Sequence, residues 1–243
     1  MSLIILLLLG TLSTTVAAQT QPAVVSVPVA DVWSRPLALG EKPADELRET
    51  QVLFGEKVLI QESSGPWVRI EAVEQPSFRQ HNKWEGYPGW VLKEALNTNT
   101  LAGRSIPPKI DILQFAQDAI GTNYLWGGLS KQGYDCSGLV HIAYRNDRKK
   151  IPRDSHEQWM KARPIKQVDL KPADLIFSAK ADNPKKITHV ALYAGKDQII
   201  EAPQTGMVVR KISFKEKYGK PLEEVESGDR VGDRVIYFGT YLH

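Results

Sequence analysis

The 243-residue chain has a single cysteine, Cys136. A disulfide framework and a multi-thiolate zinc site are therefore excluded within one copy. Excess charge is equally scarce: 31 basic against 28 acidic residues leave a net +3, with no long basic run. That field is too weak to make nucleic acid the main partner. Internal repeats and low-complexity tracts are lacking as well. Apolar residues make up 42% and charged residues 24% of the chain, which excludes disordered, collagen-like and multi-span membrane classes. The length suits two domains of roughly 100 residues each.

The one long apolar run, Leu3 to Leu12, is about half of what spans a bilayer. It leads into a small-residue stretch ending Val16-Ala17-Ala18. This reads as a secretory signal peptide over residues 1–18, cleaved after Ala18, although no Lys or Arg precedes the run. A membrane-anchoring helix is the alternative. No cysteine follows the run, so a lipid anchor is excluded. The mature protein is expected to be exported, to the periplasm or outside the cell, with no stable membrane association. An unpaired cysteine in such a place needs a reason.

From Ala23 to about Leu96 the texture is β. Val24–Val27, Gln51–Phe54, Lys57–Gln61 and Trp67–Glu71 are short β-branched and aromatic runs, and Glu85–Val91 closes the set. Gly55-Glu56 and Ser63–Pro66 supply turn chemistry between them. Short strands at this spacing predict a small barrel over residues 19–97. The polar stretch 98–108, ending in Pro107-Pro108, reads as a linker. The rest, 109–243, is mixed. Helices are predicted over Lys109–Ile120, stopped by Gly121, and over Cys136 to about Arg145, with Asp135 as N-cap. Ser155-His-Glu-Gln158 has the capping-box pattern of a third helix. Strands follow at Asp174–Ser178, Ile187–Ala194, Gln198–Ala202, Met207–Ser213 and Val235–Tyr241. Helices followed by strands without alternation predict an α+β fold with an antiparallel sheet.

A cysteine in the first turn of a helix sits where the dipole and free N–H groups stabilise thiolate and lower its pKa. The plainer reading is a small buried hydrophobe. A nucleophilic thiol needs a base. His141 is on the same helix but about 140° round the axis, His81 lies in a polar loop, His243 is terminal, and His156 opens a helix where a surface role is the default. His189 interrupts the apolar strand Ile187-Thr-His-Val-Ala-Leu-Tyr193, where a polar group must be paired. It is either a base or a satisfied core histidine.

Tyr124-Leu-Trp-Gly-Gly128, Asp135-Cys-Ser-Gly-Leu-Val140 and Thr188-His-Val-Ala-Leu-Tyr-Ala-Gly195 together resemble the NlpC/p60 family of cell-wall cysteine peptidases, over roughly Lys109 to Leu242. The β-rich first half, with Gly86-Tyr-Pro-Gly-Trp90, is similar to a bacterial SH3-like domain. The resemblance implies a papain-like catalytic domain in which Cys136 is the nucleophile and His189 the general base. The third position of the family, usually histidine, falls on Glu201. A carboxylate there accepts the other imidazole N–H and is expected to raise the histidine pKa. Tyr124 matches a tyrosine that assists the Cys136 N–H with the oxyanion. Trp126, Asp135, Ser137 and Ser155 match positions lining the substrate groove; Asp135 and Ser155 are equally good caps. From the barrel, Tyr87 and an acidic residue such as Glu46 or Glu49 are candidates to meet a free N-terminus.

The implied activity is hydrolysis of peptidoglycan stem peptides or muropeptides, with the γ-D-glutamyl–diamino acid bond cut through a Cys136 thioester. No metal or organic cofactor is implied. An N-acetylmuramoyl-L-alanine amidase or an acyl transferase on the same thiol, and a non-catalytic wall-binding protein, remain the alternatives.

Overall fold

The computed structural model describes residues 20–99 and 108–242. The predicted leader, residues 1–18, lies outside them, as does most of the predicted linker.

Seven strands fill the first half: β1 Gln21–Val25, β2 Val29–Trp33, β3 Arg48–Leu53, β4 Lys57–Ser64, β5 Trp67–Ser77, β6 Glu85–Leu92 and β7 Leu96–Asn97. They form one antiparallel sheet in the order β3-β2-β6-β5-β4-β1-β7. Its end strands β3 and β7 are not paired to each other among the described residues. Side chains alternate in and out, as a sheet with one buried face requires. Val58 and Ile60 of β4, Val68, Ile70 and Ala72 of β5, and Tyr87 and Val91 of β6 all enter one apolar cluster. The sequence reading missed β2, since Val29-Ala-Asp-Val-Trp33 follows Pro28 and carries an aspartate mid-strand.

The second half opens with α1 Ile112–Asp118, the two-residue strands β8 Leu129–Ser130 and β9 Gly133–Tyr134, α2 Cys136–Asn146 and α3 Ser155–Lys161. Then come β10 Arg163–Pro164, β11 Leu175–Lys180, β12 Ile187–Gly195, β13 Gln198–Glu201, β14 Arg210–Ser213, α4 Phe214–Tyr218, β15 Arg230–Val231 and β16 Arg234–Thr240. The sheet is antiparallel with order β10-β16-β11-β12-β13-β14, and β15 pairs with β16. Its central strands are buried on both faces. Leu175, Phe177, Val190 and Leu192 pack toward the helices. Ile176, Ala191, Ile199 and Phe238 pack toward Phe214 of α4 and Leu222 on the other side. This is the expected α+β architecture.

Local chemistry corrects two predicted helix starts. α1 begins at Ile112 because Asp111 caps it, accepting from the N–H groups of Leu113 and Gln114. The capping box at Ser155 is not made. Asp154 is the N-cap residue and its side chain makes no cap bond. Gln158, the partner the box needs, donates instead to the carbonyls of Ser137 and Pro152 at 3.0 Å, and Glu157 turns to the first half, accepting from Ser77 Oγ at 3.0 Å and Phe78 N at 2.7 Å.

The two halves meet across a polar seam. Arg145 pairs with the buried carboxylate of Glu56, and Leu129 N donates to Gln51 Oε1 at 2.9 Å. Arg153, 1% exposed, donates to Thr50 Oγ1 at 2.9 Å. Among the described residues no helix is long and apolar enough to cross a membrane.

Candidate active site

The glycines of the two central motifs place the thiol. Gly127 has φ +73°, a left-handed conformation that favours glycine. A Cβ on Gly138 would collide with the carbonyl oxygen of Gly128, so the Trp-Gly-Gly turn lies directly against the first turn of α2. Asp135 ties the pieces together. Its carboxylate caps α2 through Gly138 N at 2.6 Å and accepts from Gly127 N at 2.9 Å. It also forms a fork with Arg153, at 3.1 and 2.7 Å. Ser137 Oγ donates to the same carboxylate and accepts from Arg153 at 3.0 Å. The polar atoms of Asp135 and Ser137 are thus engaged inside the protein, holding the turn that carries Cys136.

Cys136 opens α2 at the base of a cavity of about 580 Å³ lined by both halves of the chain. Tyr124, Trp126, Asp135, Ser137 and Ser155 line it from the second half, and Tyr87, Glu46 and Glu49 from the first. The structure therefore brings all of these predicted positions together. They differ in reach. Trp126 is 48% exposed at the rim, whereas Tyr87 is fully buried. The Tyr87 hydroxyl lies 3.2 Å from Asp154 and 3.3 Å from Glu49, and Arg79 pairs with both carboxylates. His156, predicted to be a surface residue, is partly buried and faces this cavity. His141 is buried elsewhere, with Nδ1 3.1 Å from the Ile151 carbonyl.

Strand β12 carries His189 one residue before Val190, whose backbone faces the thiol. The backbone N–H of Val190, the next residue, bonds the Cys136 sulfur, as does that of Ser137. His189 is 8% exposed, and its Nε2 lies 2.6 Å from Glu201 Oε2 on the neighbouring strand β13. The predicted third position is therefore in contact with the imidazole and is completely buried. Two unpredicted cations share it. Arg210, opposite Glu201 in the β13–β14 register, reaches Oε1 with Nε at 3.1 Å and Nη2 at 2.9 Å. Lys217 of α4 pairs with Oε2 and stands 3.2 Å from His189 Nε2.

The electrostatics depart from expectation in two places. Burial, aided by Asp135, pushes the Cys136 thiol up to about 12, against the opposing pull of the Val190 and Ser137 N–H groups. The helix terminus is outweighed because the sulfur is largely desolvated. Burial and the Lys217 charge also hold His189 below its ordinary value, although Glu201 acts in the opposite direction. Glu201 itself stays well below the usual carboxylate range, with His189 and Lys217 favouring its charged form over the penalty of burial. The resting pair is thus a neutral thiol beside a neutral imidazole whose Nε2–H is given to Glu201. Nδ1 is left to take a proton.

Of the groups that sequence reasoning missed, Arg210 had a usable signal. A hairpin pairing 198–202 with 207–213 puts it across from Glu201. Arg153 and Lys217 had none, since their partners are set by tertiary packing. Among the described residues no group of three or more His, Cys, Asp or Glu side chains is placed to hold a metal ion.

Residues 121–224 match the NlpC/P60 family. The chain carries an NlpC/P60 domain. Its similarity extends beyond that segment. The γ-D-glutamyl-L-lysine dipeptidyl-peptidase of Bacillus subtilis is 27% identical over 233 aligned residues, spanning 71% of this chain and 78% of that protein. The murein DD-endopeptidase MepH of Escherichia coli is 39% identical over 103 residues, covering 41% of this chain and 38% of that protein. A crystal structure of an NlpC/P60 family protein from Bacillus cereus superposes with a TM-score of 0.74 at 21% identity, covering 92% of this chain and 100% of that one. This last likeness concerns the fold, and it takes in both halves.

Proposed function

We propose that the chain is an exported cysteine peptidase that cuts the γ-D-glutamyl–diamino acid bond of peptidoglycan stem peptides bearing a free N-terminus. The observation that carries this reading is Cys136 at the head of α2, in a cavity walled by both halves, facing strand β12, on which His189 is bonded at 2.6 Å to a buried glutamate. The two relatives named for peptide cleavage, a γ-D-glutamyl-L-lysine dipeptidyl-peptidase and a murein DD-endopeptidase, support it. So does the alignment with the Bacillus subtilis enzyme, which covers more of the chain than the NlpC/P60 segment. The first half, read as an SH3-like domain over 19–97, supplies Glu46 and Glu49, which with Asp154 of the second half face the substrate ammonium group, Arg79 bridging the last two.

In the proposed reaction the Cys136 sulfur attacks the γ-carbonyl carbon of the glutamyl residue while its proton passes to His189 Nδ1. The Tyr124 hydroxyl and the Cys136 backbone N–H take the developing oxyanion. Nδ1 returns the proton to the departing nitrogen, the C–N bond breaks, and a thioester remains. Water then gives a proton to Nδ1 and attacks the thioester carbon. The acid is released and the thiol restored. Glu201 keeps Nε2 protonated throughout, which fixes Nδ1 as the reacting nitrogen.

Mass spectrometry of a digest tests the proposal. The mature protein should release L-Ala-γ-D-Glu from free L-Ala-γ-D-Glu-diaminopimelate but not from the sugar-linked muropeptide, and Cys136→Ala should release none. Cleavage at the muramoyl–alanine link would assign an amidase. No cleavage of either peptide would point to another acyl substrate or to wall binding alone.

A further inference from the structure

A second cavity, of about 470 Å³, adjoins the first and is the one that His189 lines. Thr188, exposed at the bulge where β12 loses register with β11, lines both. The second cavity is cationic. Lys180, Arg210, Lys217 and Arg234 line it, with Asp233 as the acidic residue at its wall. Buried Glu201 balances one more of these charges, so two positive charges stay uncompensated. Arg234 is held in place by Thr188, its Nη1 donating to Oγ1 at 3.2 Å. The reaction scheme makes no use of Lys180 or Arg234.

The order of proton transfer fixes which part of a substrate comes here. His189 must protonate the departing nitrogen, so the leaving residue lies on the histidine side of the thiol and the acyl portion on the Tyr124 side. The acyl side carries Glu46, Glu49 and Asp154 and stays net acidic although Arg79, paired with the last two, and Lys186 also line it; the leaving side carries the larger share of cations. A peptide lying across Cys136 thus meets acids at its amino end and bases beyond the scissile bond. That polarity matches a short zwitterionic peptide.

Building on the proposed function, the geometry points to the Lys180–Arg234 cavity as a leaving-group subsite that binds a free carboxylate on the residue released from γ-D-glutamate. Arg offers a forked donor pair for such a group, and Lys a mobile point charge. Stem peptides ending in an unmodified carboxylate are the preferred class, and those amidated at that position are discriminated against.

The test compares L-Ala-γ-D-Glu-L-Lys with its C-terminal carboxamide, which differs by one charge. Wild type should cleave the carboxylate form with kcat/KM at least tenfold higher, mostly through KM. In Lys180→Gln/Arg234→Gln that ratio should fall to within twofold of one. Equal kcat/KM for the two peptides in the wild type would overturn the subsite while leaving the peptidase intact. So would a double variant that keeps the tenfold ratio. Binding of both peptides to Cys136→Ala by calorimetry separates this inference from the proposed function. Tenfold weaker binding of the carboxamide, lost when Lys180→Gln/Arg234→Gln is added, supports the subsite even if neither peptide is cleaved. Equal affinities refute it.

Discussion

Lys217 is the perturbation that most directly tests how the imidazole is tuned. Its ammonium lies 3.2 Å from His189 Nε2 and pairs with the same carboxylate oxygen of Glu201 that the imidazole uses. A unit charge at that distance is worth about 5 kcal/mol at an effective dielectric constant of ~20. Glu201 sits 2.6 Å from the same nitrogen with the opposite sign, but it is present with or without Lys217 and drops out of the difference, which relaxation and screening reduce. Lys217 is also 17% exposed, and solvent in the cavity screens it further. A residual of about 1.4 kcal/mol corresponds to about one pH unit. Lys217 lowers the His189 pKa, so Lys217→Met must raise it. The reactive form is the neutral imidazole, and activity is lost as pH falls through its pKa. The acid limb of kcat/KM for tripeptide cleavage should therefore lie below the ordinary histidine value in the wild type. It should move up by about one pH unit in Lys217→Met and return in Lys217→Arg. An acid limb that stays put, or moves down, would refute this account of the site. A uniform loss of rate with no change in the profile would show that Lys217 only supports the fold.

Glu201→Gln exchanges the anionic acceptor of the Nε2–H for a neutral amide and leaves Arg210 and Lys217 without their counter-charge. We expect kcat to fall by at least about 10²-fold, with a smaller change in KM, in steady-state cleavage of the tripeptide. Arg153→Met leaves the Asp135 carboxylate buried without its ion pair and should destabilise the protein by about 3–5 kcal/mol in urea unfolding. Gly138→Ala drives a methyl group into the Gly128 carbonyl and should lower both the melting temperature and the rate at which Cys136 is alkylated. His141 is pushed down to about 3 by burial, with Arg145 and Arg153 adding to the effect. Below its ordinary pKa the unfolded chain takes up a proton that the folded chain refuses, so stability falls with pH. Between pH 7 and pH 5 the loss from this group is about 2 kcal/mol, and His141→Gln should lessen the fall by that amount in denaturant titrations at the two pH values.

Elements with strong local signals are legible along the chain without its fold. Alternating apolar residues in β4, β5 and β6 determine which face is buried, because the side-chain period of a strand is two. Asp135 ahead of an apolar helical stretch determines where α2 begins and hence that Cys136 stands in its first turn. His189 was legible because a polar side chain inside an apolar strand must find a partner; Glu201 was reached through the family resemblance, and the two partner each other. Tertiary structure decided the rest. The sign of both key pKa shifts follows from burial, reinforced at His189 by Lys217, which arrives on α4 from 28 residues further along. No local pattern encodes that approach. The capping box at Ser155 failed for the same reason, since the Gln158 amide donates to the carbonyls of Ser137 and Pro152, 21 and 6 residues away. Arg153 looks like an ordinary surface residue in sequence, yet it is the buried link between Thr50 of the first sheet and Asp135 beside the thiol. Charge compensation acts through space at a few ångströms, so it is fixed only once the chain has brought distant segments into contact.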